Sequence, residues 1–186
     1  MSSQNIRKMV ITALLIALGI VFQQLRFVLG DWSGTTYIIG SLVNLCLIVA
    51  ATVVGLWSGV AVAVVTPLIA FAQGHLALAQ MIPVIIVGNA VLVVFYALFA
   101  LKDKTSLSVQ WPRWAVAGVI AALIKFAVIA FGQALVLIPL KGLGFSAALA
   151  TAAGLQTVQI ITAVIAMILG GIILPMLPKK VVGKQA

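Results

Sequence analysis

AALIKFAVIAFGQALVLIP, Ala121–Pro139, is an apolar run with a lysine, Lys125, near its middle and no Asp or Glu anywhere in it. Two things follow from this stretch. A run this long and this apolar is read as a helix that crosses a lipid bilayer. A lysine at the centre of such a helix costs at least about 2.5–3.5 kcal/mol on insertion scales. It is also too deep to reach the interface easily by extending its stem, so something inside the bilayer must receive it.

The rest of the chain resembles this stretch. Of 186 residues, 65% are hydrophobic and 7% are charged, and the mean hydropathy is +1.33. Soluble domains carry about 25% charged residues, so this chain cannot cover itself with a polar surface. The expected class is an all-α integral membrane protein, almost wholly within the bilayer and without a soluble domain. A β-barrel would alternate apolar and polar residues over about ten positions. The runs here are continuous, and helices are the remaining way to satisfy a backbone in lipid.

Six spans are expected in one domain: about 6–27, 37–54, 60–72, 78–101, 114–138 and 147–177. Spans two and three are short, joined by a tight turn GLWSG at Gly55–Gly59, and could be tilted or partly re-entrant. The first run is longer than a signal-peptide core and lacks a clean small-residue cleavage site, although Gln23, Gln24 and Arg26 interrupt its end. The basic residues are unevenly divided. Arg7, Lys8, Lys102, Lys104, Arg113, Lys179, Lys180 and Lys184 fall on one side of these spans, and Arg26 and Lys141 on the other. That bias predicts cytoplasmic N and C termini. It also explains the net charge of +9 without a nucleic-acid partner. The one cysteine, Cys46, can form no internal disulfide.

Several function classes lack their residues. There is no phosphate-binding glycine loop and no long soluble segment, so the chain is not expected to hydrolyse ATP. No cluster of His, Cys and carboxylates points to a metal, and no catalytic set points to an enzyme or to a cofactor. The only acids, Asp31 and Asp103, lie outside the spans, which weakens the case for a proton-coupled carrier.

Polar residues within the spans fall at one depth. Counting from the outer ends, Asn44 (span two), Asn89 (span four), Lys125 (span five), and Gln156 and Gln159 (span six) lie roughly 10–20 Å below the outer surface at 1.5 Å per residue. Gln156 and Gln159 are three apart and share a helix face. Together the five residues outline a polar pocket open to the outside. The competing reading is that amides join helices to one another and that Lys125 is held by Asn and Gln partners. The favoured reading gives Lys125 an anionic or carbonyl group of a ligand. The outer loops add Trp32, Tyr37, His75, Asp31, Gln73 and Gln80 as candidates; for Trp32 the role of interfacial anchor is the favoured one, and His75 is equally readable as an ordinary interfacial histidine. Trp57, Trp111 and Trp114 read as anchors at the cytoplasmic interface.

In span one, TALLIALGIV sets Ala13 and Ala17 four apart, a small-xxx-small face that lets another helix approach closely. A basic start, this AxxxA helix and six spans, together with GSLVN (Gly40–Asn44), GLWSGVAVAVVTPLIAF and QTVQIITAVIAMILGG (Gln156–Gly171), resemble over the whole chain the substrate-binding S component of energy-coupling factor (ECF) transporters. The resemblance implies a prokaryotic cell-membrane subunit that binds a vitamin or related micronutrient from outside. It implies association with a membrane coupling protein and two cytoplasmic ATPases. On that resemblance Ala13 and Ala17 match the motif that contacts the coupling protein, and the ligand sits beneath the outer loops among spans four to six. One cation and several amides suit cobalamin, a queuosine precursor or pantothenate. The alternatives are a stand-alone carrier or channel, and a membrane scaffold without a small ligand.

Overall fold

The computed structural model describes residues 2–30, 32–100 and 109–177. Asp31, Lys102, Asp103, Lys104, Lys179, Lys180 and Lys184, which entered the charge count and the loop candidates, lie outside the described residues. The described residues are helical, with no strand among them. Helix α1 spans Ser3–Leu29. Helix α2, Ser33–Val49, runs into a π-helical turn, Ala50–Val54. Helix α3 is Leu56–Ala72. Helix α4, Met81–Phe95, also ends in a π-helical turn, Tyr96–Ala100. Helices α5, Trp111–Lys141, and α6, Phe145–Ile173, are the longest.

Five of these elements are long and apolar enough to cross a membrane, and α3, with 17 residues, is shorter. At 1.5 Å per residue α3 is about 25 Å long, just under the hydrocarbon thickness of a typical bilayer. The architecture is that of a multi-pass membrane bundle. Large apolar side chains cover its outside: Leu14, Val21, Phe131, Leu155 and Ile172 are all at least half exposed.

The helices close a ring in the order α1, α2, α6, α5, α4, α3 and back to α1, with α2 also touching α3 and α4. The central place of α2 is visible in its burial: 56% of its most apolar stretch is buried, against 11% for α1. Small residues let the helices approach. A Cβ on Gly40 of α2 would lie 2.8 Å from Thr162 Cγ2 of α6. One on Gly88 of α4 would lie 2.5 Å from Ile129 Cγ1 of α5. These pairings, with Gly170 of α6 near Ile48 of α2 and Gly118 of α5 near Met167 of α6, run α2 parallel to α6 and α5 antiparallel to it. The start of α1 and the end of α6 therefore share one end of the bundle, called here the terminal end. The turns after α1, α3 and α5 form the loop end.

Two expectations are corrected. The turn between spans two and three is a single residue, not five. Gly55 alone, at φ 125°, breaks the chain, and Leu56 to Gly59 already belong to α3. Glycine adopts that φ without the steric cost other residues meet. Trp114 is not an interfacial anchor. It is fully buried, its indole N–H donates to the Met167 carbonyl at 2.8 Å, and its ring meets Tyr96 edge-on at 4.7 Å. Trp57 and Trp111 are 81% and 47% exposed.

Candidate functional site: a polar cavity around Lys125

Lys125 is 2% exposed, near the middle of α5. Its Nζ donates to Asn44 Oδ1 of α2 at 2.6 Å. The same amide donates through Nδ2 to Thr162 Oγ1 of α6 at 3.1 Å, and that hydroxyl donates to the Gln159 carbonyl at 3.3 Å. A lysine on one side and a hydroxyl on the other fix which end of the Asn44 amide faces which. The chain of bonds crosses three helices and ties α5, α2 and α6 together at one level.

An ammonium carries three donors and no acceptor. Among the described residues only Asn44 receives one of them, so two N–H groups have no acceptor among those residues. A buried charge compensated by one neutral dipole is unfavourable unless further acceptors reach it.

Space for such acceptors lies next to it. A cavity of about 210 Å³ reaches from Lys125 toward the loop end. At its deep level are Lys125, Asn44, Asn89, Gln159 and Thr162. Toward the loops it is bounded by Arg26 near the end of α1, Thr36 near the start of α2, and His75 in the turn after α3. Aliphatic side chains, among them Ile39, Val43, Ile85 and Val158, make up the walls between. None of the described residues lining it is Asp or Glu. Lys125 is the buried cation at its deep level, and Arg26, only partly buried, stands at its outer edge.

Four of the five polar residues expected at one depth, Asn44, Asn89, Lys125 and Gln159, border this one cavity, and His75 borders its outer part. Asn89 is 5% exposed. Gln156 is elsewhere: its Nε2 donates to Gln133 Oε1 of α5 at 2.6 Å, and neither residue lines the cavity. Three residues correspond to 300° around a helix, so two side chains on one broad face need not enter the same space. Trp32 is 57% exposed and its ring lies over Gly34 at the start of α2. Tyr37 is half-buried, and its carbonyl accepts from Ser41 Oγ at 2.7 Å. Neither ring lines the cavity.

Several lining residues were not among the candidates. Thr162 follows Gln159 by three positions and shares its face, a spacing that was available in the sequence. In the sequence Gln23 shows only as an interruption of the first apolar run, and Arg26 as such an interruption and as an outer-side basic residue. The structure brings Gln23 to α3, where its Nε2 donates to the Thr66 carbonyl at 3.0 Å just before Pro67. Gln23 Oε1 is buried without a partner among the described residues. Ala13 and Ala17 are exposed on α1. Ala13 lines a shallow groove at the terminal end with Met9, Ile16 and Trp57, where Thr12 Oγ1 and Ser58 Oγ lie 2.6 Å apart across α1 and α3.

Among the described residues no group of His, Cys, Asp and Glu could hold a metal ion. No family model matches the chain, and no curated protein or solved structure matches it either. What the arrangement can do chemically is bind: it offers a buried cation, several amides and a hydroxyl to a small anionic or polar molecule.

Proposed function

We propose that the chain is the membrane-embedded substrate-binding subunit of an ECF-type uptake system, taking a vitamin or related micronutrient from outside the cell. The observation that carries this reading is the under-compensated Lys125 at the deep end of a cavity bordered by Asn44, Asn89, Gln159 and Thr162. A cation buried in a membrane bundle marks a functional site by default. In this reading the six helices all span the membrane, both termini face the cytoplasm because eight of the eleven basic residues fall on that side, and the loop end faces outward. The cavity is then entered from outside, and release inward is driven by ATP hydrolysis on separate subunits. The exposed Ala13 and Ala17 on the least buried helix supply a surface smooth enough for a coupling protein's helix to lie against.

One observation favours a second reading. Lys125 has an internal partner in Asn44, so a scaffold with an internally satisfied lysine would use the same bond. The two readings part in one experiment. The tagged full-length chain is purified gently from its own host, and mass spectrometry is run on the co-purifying proteins and on the released small molecules. A coupling protein with two ATPases supports the uptake subunit. A pure chain with neither partner nor small molecule, repeated across detergents, moves the assignment to the scaffold.

A further inference from the structure

The cavity's lining narrows the chemistry of its ligand further, on the reading of the cavity as a binding site. Charge comes first. One ammonium, Lys125, is buried at the deep end, and Arg26, partly exposed and donating to Thr36 Oγ1 at 3.4 Å, borders the outer part. No acid is present among the described lining residues. A single buried ammonium is matched by a monoanion. A phosphate monoester carries about −1.5 to −2 at neutral pH and would bring uncompensated charge into the bilayer, where desolvation costs most. The deep site therefore fits a carboxylate better than a phosphate.

The walls come second. Flat heteroaromatic molecules are held by stacking against Trp, Tyr or Phe faces. No Phe, Tyr or Trp is among the described lining residues, and the one ring, that of His75, already lies 5.3 Å from that of Phe27. Aliphatic side chains fill those positions instead, at Ile39, Val43, Ile85, Val158 and Leu76. Size comes third. About 210 Å³ is less than the roughly 300–1,000 Å³ of pockets that enclose drug-sized ligands, and far less than a corrin requires.

We infer that the ligand is a small aliphatic monocarboxylate bearing hydroxyl or amide groups. Its carboxylate accepts from Lys125 Nζ, its aliphatic part lies along Val43, Ile85 and Val158, and its hydroxyl or amide groups meet the side chains of Asn89 and Gln159. Among the micronutrients the sequence brought forward, this chemistry is that of pantothenate and not that of cobalamin or a queuosine precursor.

The test is calorimetry on the purified full-length chain in lipid nanodiscs. The probes are pantothenate, its hydroxy-acid fragment pantoate, the alcohol analogue pantothenol, riboflavin and cyanocobalamin. At least one of the two acids is expected to bind. Pantothenol is expected to bind about tenfold or more weaker than pantothenate, the loss that follows from removing a charge-assisted hydrogen bond. Riboflavin and cyanocobalamin are expected not to bind. Lys125→Met should bring pantothenate down to the affinity of pantothenol and leave pantothenol unchanged. The wild-type comparison of acid with alcohol needs no variant, so misfolding of Lys125→Met cannot obscure it. Equal binding of acid and alcohol overturns the inference. So does binding of riboflavin or cyanocobalamin, or failure of both acids to bind a chain with a cooperative thermal transition. Failure of the inference is separable from failure of the uptake reading. Riboflavin capture by a chain that co-purifies with a coupling protein and ATPases defeats only the former, and acid capture by a chain without those partners defeats only the latter.

Discussion

The same six helices make two different ends. At the terminal end Leu47, Ile48, Leu92, Val93, Tyr96, Trp114 and Leu174 are buried with a set of alanines between them, and the interior is packed shut. Toward the loop end the ring opens around Lys125 and leaves about 210 Å³. The helix order does not change between the two ends, so topology is not the cause. What changes is the interior side chains. At the terminal end aromatic and branched residues alternate with Ala97, Ala100, Ala117 and Ala163, and large against small fills space to the density of a solid. Nearer the loops the inward positions are held by Asn44, Asn89, Lys125 and Gln159. Amides and an ammonium must find partners before they fill volume; Lys125 and Asn44 bond to each other and on to Thr162 along the helix walls, while Asn89 and Gln159 border the open space.

The largest expected effect tests the closed end. Trp114 is the largest fully buried side chain, and its N–H satisfies the Met167 carbonyl. Trp114→Ala should lower stability by about 3–5 kcal/mol, read from reversible unfolding in detergent micelles, with ligand affinity of the surviving folded fraction unchanged. A loss under about 1 kcal/mol would mean that the closed end does not hold the bundle together as a core does.

The next effect tests the open end. Asn44→Leu removes the one described acceptor of Lys125 and should cost about 1–3 kcal/mol, because the orphaned charge keeps its desolvation penalty. Adding Lys125→Met to that variant should recover most of the loss. The coupling energy of the double-mutant cycle is the measurement, and additive single losses would break the claim that the two side chains act as a pair.

Much of this contrast could be read from the sequence, though unevenly. The apolar runs marked the helices, because a backbone in lipid admits few alternatives. Asn44, Asn89, Lys125 and Gln159 stood out because polar residues are rare in such runs. Counting along each span put them at one depth, but depth is only one coordinate. The angle around each helix sets whether a side chain enters the cavity, and it depends on how each helix is rotated against its neighbours. That angle separates Gln156 from Gln159 and turns Trp114, near the start of its helix, into the core. Gln23, Arg26 and Thr66 come from α1 and α3 and meet the site only through ring closure, which a single sequence does not display.

A smaller effect tests how the open end is organised. Thr162→Val keeps the shape of the side chain and removes the oxygen that accepts from Asn44 Nδ2. One interhelical hydrogen bond in a membrane contributes about 0.6 kcal/mol on average and at most about 1.7, so stability should fall only within that range. The amide of Asn44 would then lack the bond that turns Oδ1 toward Lys125, and ligand affinity should fall severalfold. Unchanged affinity would show that Lys125 alone orients the amide.

The smallest effect separates the two glutamines of α6. Gln156 pairs with Gln133 outside the cavity at 2.6 Å, whereas Gln159 lines it. Gln156→Leu leaves Gln133 only half-buried, where lipid headgroups or water can receive it, so stability should fall by about 0.6 kcal/mol and ligand affinity should not move. Gln159→Leu should do the opposite, because it removes an amide from the cavity and breaks no side-chain bond among the described residues. Stability should hold within about 0.5 kcal/mol while affinity drops. Calorimetry and unfolding on the two variants, three positions apart on one helix, read this difference directly. If both variants moved affinity alike, the cavity would extend to the α5–α6 seam, and the division between amides that join helices and amides that face a ligand would fail.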